Sequence, residues 1–431
     1  MNDNLVLLNP KDKKQKIIGF GCAMTEASSF VFSTMNEDVK RQILDLYWSP
    51  KGLNYTVGRI PMNSCDFSLG TYSCDDVNGD YDLKYFNINR DKLFKYPLVS
   101  RVVNNTRTFN GKPLKLFLSP WSPPAWMKIN NDMNGSSTPI GLINETRILD
   151  SWALYYSKYI TAYKNLGVPF WGLTVQNEPE FAAPYEACVY TAEFQRDFIK
   201  RHLGPRIKQD HPEVNILIYD HNRDHVHLWA EIIYADKEAS KYVAGTAFHW
   251  YVNGQYEHLT MAHDIAPEKI LLGTEATQGP RVAFGDWGRG ESYGFDIIND
   301  LENYAQGWTD WNCILDPIGG PTHMQNWCDA AIVANNKTQS IYLQPMYYYM
   351  GHFSKYLTEG SVRIAHENTL DTLLVTSFIT PENKMVVIVM NQEQTSQIFK
   401  LIDMSIGIDY AAEMVIPPHS IRTLIYDHRF E

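Results

Sequence analysis

The chain has 431 residues, 44% of them hydrophobic and 20% charged, enough for a packed large barrel with a second, smaller domain. A formal net charge of -11 argues against nucleic acid and anionic membrane surfaces as partners, since both select basic patches. No apolar run reaches the roughly 18 residues of a membrane-spanning helix, and the polar, lysine-rich residues 1–16 lack the apolar centre of a signal peptide. A cytoplasmic location, or export without a cleaved signal, is therefore expected.

Short apolar runs alternate with amphipathic stretches eight times. The predicted strands cover 16–23, 55–61, 114–119, 170–176, 215–219, 243–251, 269–274 and 307–315. Helical periods lie between them, over 37–47, 150–166 and 191–203, the last ended by Gly204-Pro205. Eight βα units predict a (β/α)8 TIM barrel over residues 17–357, whose last helix spans 342–357. From residue 358 the pattern changes to short alternating strands over 361–366, 372–379, 385–391, 397–401 and 420–426. These predict an attached all-β sandwich domain formed by residues 1–16 plus 358–431, with residues 4–8 as an extra strand.

In such a barrel the carboxyl ends of the strands open onto the active site. Glu178 follows the run WGLTVQN and Glu275 ends KILLGT, and a carboxylate closing a buried apolar strand is costly unless something needs it. Two carboxylates facing one pocket are the equipment for cleaving a glycosidic bond. Glu178 is expected to act as acid/base beside Asn177, and Glu275 as nucleophile, about 5 Å apart and with retention of configuration. The competing reading is a structural ion pair with Arg59 or Lys128, which explains one glutamate better than two. The other strand ends carry Glu26, Arg59, Trp121, Trp126, Asp220, His221, His249-Trp250-Tyr251 and Trp311-Asn312, groups suited to a sugar.

The segments GFGCAMTEA, RIPMNSCDFSLGTYS, SPWSPPAWMKINNDMNG, VQNEPE, FHWYV, GTEA, GWTDWN and GHFSKYLTEGSVRI resemble glycoside hydrolase family 30, in order and along nearly the whole chain. The resemblance implies a barrel with a β-sandwich, no cofactor and a β-glucoside or glycosphingolipid substrate. It places the acid/base on Glu178 and the nucleophile on Glu275. It places glucose contacts on Glu26, Trp121, Asn177, Trp311 and Asn326, with Tyr251 bonded to the nucleophile and His249 lining the pocket. Two departures from the glucosylceramide-cleaving branch stand out: Glu26 replaces an aspartate and His323 a tryptophan. β-1,6-Glucanase, β-xylosidase or β-fucosidase activity is the alternative within the family, and a silent carbohydrate-binding effector the alternative outside it.

The remaining signals are read more plainly. The histidine-rich stretch 220–227 lacks the spacing of a metal motif, so no metal is expected and the loop is taken as pocket lining. The six scattered cysteines, without a CxxC pair, are expected as reduced, packed thiols. Tyr347-Tyr348-Tyr349 is expected between helix and barrel, while Trp287, Tyr293 and Phe295 fit either the pocket mouth or barrel packing.

Overall fold

The computed structural model describes residues 4–111 and 113–428; residues 1–3 and 429–431, assigned above to the sandwich, lie outside the described residues. The chain starts with β1 (Leu5–Lys16) and then enters a ring of eight strands. These are β2 (Gly19–Ala23), β3 (Val57–Met62), β4 (Lys115–Pro120), β5 (Gly172–Thr174), β6 (Asn215–Asn222), β7 (Val243–His249), β8 (Ile270–Glu275) and β9 (Gly307–Asn312). All neighbours pair in parallel, in the order β8-β7-β6-β5-β4-β3-β2-β9. The ring closes between β8 and β9 at its two ends, Gln306 N–H to Leu271 O (2.8 Å) and Trp311 N–H to Ala276 O (2.7 Å). Gly307 permits the close approach of β9 to β2: a Cβ there would lie 2.1 Å from the Gly19 carbonyl. Val57, Phe117, Leu217, Ala247 and Leu272 fill the ring below the site. Covered on both faces, such strands read as continuous apolar runs.

The helix predicted to stop at Gly204-Pro205 continues. Ala192–Phe198 passes through one wider π turn, Ile199–Leu203, into Gly204–Asp210. The wide turn makes room for the Pro205 ring, which then stands in the first turn of the new segment, where a missing N–H costs little. Gly204 is required for contact rather than for breaking, since a Cβ would meet the Tyr242 ring at 2.5 Å.

After β9 come the small sheet β10 (Ile314–Leu315), β11 (Ile332–Asn335) and β12 (Ser340–Leu343), and the helix Pro345–Ser354, shorter than the predicted 342–357. The sandwich follows as β13 (Val362–Asn368), β14 (Leu373–Ile379), β15 (Lys384–Asn391), β16 (Gln397–Asp403), β17 (Ala411–Ile416) and β18 (Ser420–Asp427). Its order is β17-β16-β1-β13-β14-β15-β18, so β1 threads through its middle, over a core that includes Val6, Leu8, Val387 and Phe399. β1 is longer than expected: only its first half alternates, and the exposed lysine-rich half shifts register twice against β13. β17 escaped the sequence reading because it is an edge strand, mostly exposed on both faces, with no apolar alternation.

The cysteine expectation needs one correction. Cys22 and Cys313 form a disulfide, their Cα atoms 5.1 Å apart across 291 residues of sequence. Only barrel closure makes β2 and the end of β9 neighbours, which is why spacing gave no sign of it. Cys65, Cys74 and Cys188 are buried thiols and Cys328 is half-buried. Trp287, Tyr293 and Phe295 belong to the helix Trp287–Glu302 and pack rather than line a mouth. The Tyr293 hydroxyl donates to Asp310 (2.6 Å), Trp287 donates to the His419 carbonyl, and Phe295 meets Tyr256 edge-on. Tyr347 and Tyr349 are buried as expected, while Tyr348 is exposed.

Candidate active site

A cavity of about 460 Å³ opens at the carboxyl ends of the barrel strands, walled among others by Glu178, Glu275, Asn177, Trp121, Trp311 and Asn326. Glu275 is the last residue of β8. Glu178 lies four residues past the short β5, in the left-handed region (φ 45°), which turns the chain out of the strand. Its N–H donates to the carbonyl of Asp220, itself left-handed (φ 73°) at 2.9 Å. Left-handed non-glycine residues each cost about 1–3 kcal/mol and persist where the surrounding structure over-determines them.

Beneath the wall sits a fully buried hub. Arg59, in the middle of β3, donates from Nη1 to Glu275, from Nη2 to Asp220 (2.8 Å) and Asn177 (2.9 Å), and from Nε to Ser119 (3.0 Å). Its guanidinium lies over Trp121 and Trp311, themselves stacked with centroids 5.0 Å apart. Asp220 also accepts from Thr174 (2.5 Å), Thr274 (2.6 Å) and His249 Nε2 (3.0 Å). Burial raises its carboxyl, but the Arg59 charge and these donors outweigh it and hold Asp220 well below the usual carboxylate range.

The two wall glutamates differ in their partners. Glu275 accepts from Arg59 on one oxygen and from the Tyr251 hydroxyl (2.8 Å) on the other. Glu178 faces His249 Nδ1 at 3.3 Å and His221 Nδ1 at 3.8 Å. Burial lowers the His249 ring, yet the charge of Glu275 and the bonds to Asp220 and Glu178 push it up to about 9. Burial raises Glu178, but the His249 hydrogen bond and charge bring it below the ordinary range. Burial raises Glu275, against His249 and Arg59 and with Glu178. The imidazole beside Glu178 is thus held protonated near neutral pH.

The structure brings together Glu178, Glu275, Asn177, Trp121, Trp311, Asn326 and Tyr251, and separates others. Glu26 is fully buried off the wall, its carboxylate engaged by Arg90 Nη2 (2.8 Å) and the Leu69 N–H (3.0 Å). It secures the loop 63–74 through these bonds. His249 stands behind Glu178 rather than on the wall, while His221 lines it. Trp126 donates to the Asp75 carbonyl (3.0 Å), and Trp250 packs edge-on against Tyr293 and Trp308. The ion pair with Arg59 exists, but Lys128 binds the Met133 and Gly135 carbonyls instead. His323 stands 3.4 Å from Glu186.

The residue sequence reasoning missed is Asp66, in the loop after β3, which lines the wall and accepts from Asn326 Nδ2 at 2.6 Å. Its signal was present: a carboxylate four residues past a barrel strand, in RIPMNSCDF. Burial pushes Asp66 up to about 7, the Asn326 bond opposing. An acid whose folded value exceeds its unfolded one adds stability below about 3.9 that is lost as pH rises through about 7. Asp66→Asn should therefore gain thermal stability over the wild type at pH 8 compared with pH 4, by up to about 4 kcal/mol at the linkage limit. Equal melting differences at both pH values would show that Asp66 bears no such strain.

Paired carboxylates beside stacked tryptophans at the mouth of a (β/α)8 barrel define a glycoside hydrolase. Residues 17–357 match the glycosyl hydrolase family 30 TIM-barrel domain, and residues 360–424 the beta sandwich domain of that family. The chain belongs to glycosyl hydrolase family 30. It is 35% identical over 436 residues to the lysosomal acid glucosylceramidase of Mus musculus, covering 98% of this chain and 83% of that one. Among solved structures it is similar to SrfJ from Salmonella typhimurium, with a TM-score of 0.92 at 32% identity, covering 99% and 93% of the two chains. It is also similar to the endo-beta1,6-glucanase BT3312, with a TM-score of 0.85 at 26% identity, covering 98% and 93%. No helix among the described residues is long and apolar enough to cross a membrane.

Proposed function

We propose that the protein is a retaining β-glucosidase of glucosylceramidase type, cleaving the β-glucosidic bond of glucosylceramide or a related β-glucoside. Glu275 attacks the anomeric carbon while Glu178 gives a proton to the departing oxygen. Glu178 then takes a proton from water as the glucosyl–Glu275 ester is hydrolysed. The observation that carries this reading is the asymmetry of partners. Both oxygens of Glu275 face Arg59 and Tyr251, donors that keep their protons near neutral pH and favour its ionised form against the upward push of burial, which suits it to the nucleophile's role. Glu178 instead faces an imidazole that holds a proton and can surrender it. Asp66, Asn177 and Asn326 are placed for sugar hydroxyls around the Trp121–Trp311 pair, and Phe181 at the rim for the aglycone.

The test is a panel of 4-methylumbelliferyl β-glucoside, β-xyloside, β-fucoside and β-galactoside, with glucosylceramide in detergent micelles and a β-1,6-linked gluco-oligosaccharide. Glucoside and glucosylceramide turnover is expected, with β-glucose as the first anomer seen by proton NMR. Turnover of the oligosaccharide alone would move the reading to a β-1,6-glucanase. Glu178→Gln should lower turnover of glucosylceramide by about 10²–10⁴-fold, the range for general acid–base catalysis. It should slow glycosylation by a dinitrophenyl β-glucoside far less, because that leaving group needs no proton. Equal losses on both substrates would remove the acid role from Glu178.

A further inference from the structure

We propose that Glu178, His221 and His249 together form a zinc-binding site, and that zinc bound there blocks the acid/base carboxylate. Zinc here is an inhibitor and not a participant in hydrolysis. The inhibitory part rests on the role given to Glu178 above; the binding part does not.

One ligand atom from each of the three side chains lies within 4.8 Å of the other two. A tetrahedral zinc with bonds of about 2.0–2.1 Å holds its ligand atoms roughly 3.3 Å apart. Glu178 Oε1 lies 3.3 Å from His249 Nδ1 and 3.8 Å from His221 Nδ1, so small side-chain rotations suffice. The set of two imidazoles and one carboxylate matches zinc, whereas calcium and magnesium select oxygen alone.

Two independent features point the same way. The buried Nδ1 of His221 has no hydrogen-bond partner, an unsatisfied lone pair or N–H aimed at the cluster. Second, His249 Nε2 is held by Asp220 at 3.0 Å, which leaves Nδ1 as the ligand atom in the carboxylate–histidine–metal arrangement. Asp220 is in turn locked by Arg59, Thr174 and Thr274, so the ring orientation is fixed before any ion arrives. Glu178 and His221 both face the pocket, which leaves a fourth position open for water. The ligands come from the segment after β5, from β6 and from the end of β7, so no sequence spacing reveals them.

The decisive experiment compares the chelator-stripped wild type with His221→Ala and His227→Ala. His227 is near in sequence but outside the cluster, its ring tilted against that of His258. Zinc binding is read by calorimetry, and the site geometry by the visible absorption of cobalt(II) in place of zinc. The wild type and His227→Ala should bind one zinc with equal affinity, and His221→Ala at least about 100-fold more weakly. Zinc should inhibit glucoside cleavage by the wild type, reversibly on adding EDTA, and His221→Ala should need a correspondingly higher concentration. Absence of one-to-one binding, or equal binding by wild type and His221→Ala, overturns the proposal. If thermal melts show His221→Ala to be misfolded, His221→Gln takes its place in the same comparison. Binding without any glycoside cleavage would sink the proposed activity while supporting this site.

Discussion

Glu275→Gln is expected to abolish glucoside hydrolysis, with kcat falling at least about 10⁴-fold, the scale on which covalent enzymes depend on their nucleophile. The amide is nearly isosteric, so the variant should still fold. Its carbonyl oxygen can accept from Arg59 while its NH₂ donates to the Tyr251 oxygen, the reverse of the wild-type bond. What disappears is the negative charge that attacks the anomeric carbon and balances Arg59. A substrate with an excellent leaving group should not rescue it, in contrast to Glu178→Gln, because no carboxylate is left to form the ester. Substrate should still bind, since the other pocket-lining groups proposed to hold the sugar, Asp66, Asn177, Asn326 and the two tryptophans, are untouched. Stopped-flow and steady-state kinetics on a dinitrophenyl β-glucoside check this. Turnover within tenfold of the wild type would transfer the nucleophile elsewhere.

How much of this was legible beforehand depended on whether the signal was local. The barrel strands announced themselves as apolar runs because both faces are covered, and Glu275 was conspicuous as a charge closing such a run. The Tyr251–Glu275 bond followed from the family resemblance and is present at 2.8 Å. Contacts made only by barrel closure were not legible. The Cys22–Cys313 disulfide joins segments 291 residues apart, and Arg59, Asp220 and His249 meet from three different strands. The partners of Glu26 were equally hidden, since Arg90 and the Leu69 N–H reach it from distant parts of the chain. Asp66 was harder to see because it stands in a loop, where no periodicity fixes which side chain faces the pocket. β17 is invisible to periodicity because an exposed edge strand has little to bury.

Arg59→Met should be the most destabilising single change in the site. Methionine fills much of the stem volume but removes the one cation shared by Asp220 and Glu275. Removing one partner of a buried ion pair costs about 3–5 kcal/mol, because the other charge stays buried without compensation. For a protein of this size that is a fall in melting temperature of roughly 3–6 °C. Asp220 keeps Thr174, Thr274 and the His249 ring, which limits the loss there, but Glu275 is left without its bonded cation. The pH dependence follows from sign. Asp220 is held below its unfolded value, so its pairing stabilises the fold above about pH 3.9 and is lost as pH falls through the folded value. The variant forfeits the largest cause of that depression, and its Glu275 loses a counter-charge as well. Its deficit should therefore be large at pH 8 and shrink toward pH 4, where protonation relieves both carboxylates. Arg59→Lys should fall between the two, since one ammonium cannot reach Glu275, Asp220, Asn177 and Ser119 together. A variant melting within a degree or two of the wild type at pH 8 would mean that the hydroxyls and His249 suffice, and that Arg59 orients the site without holding it together.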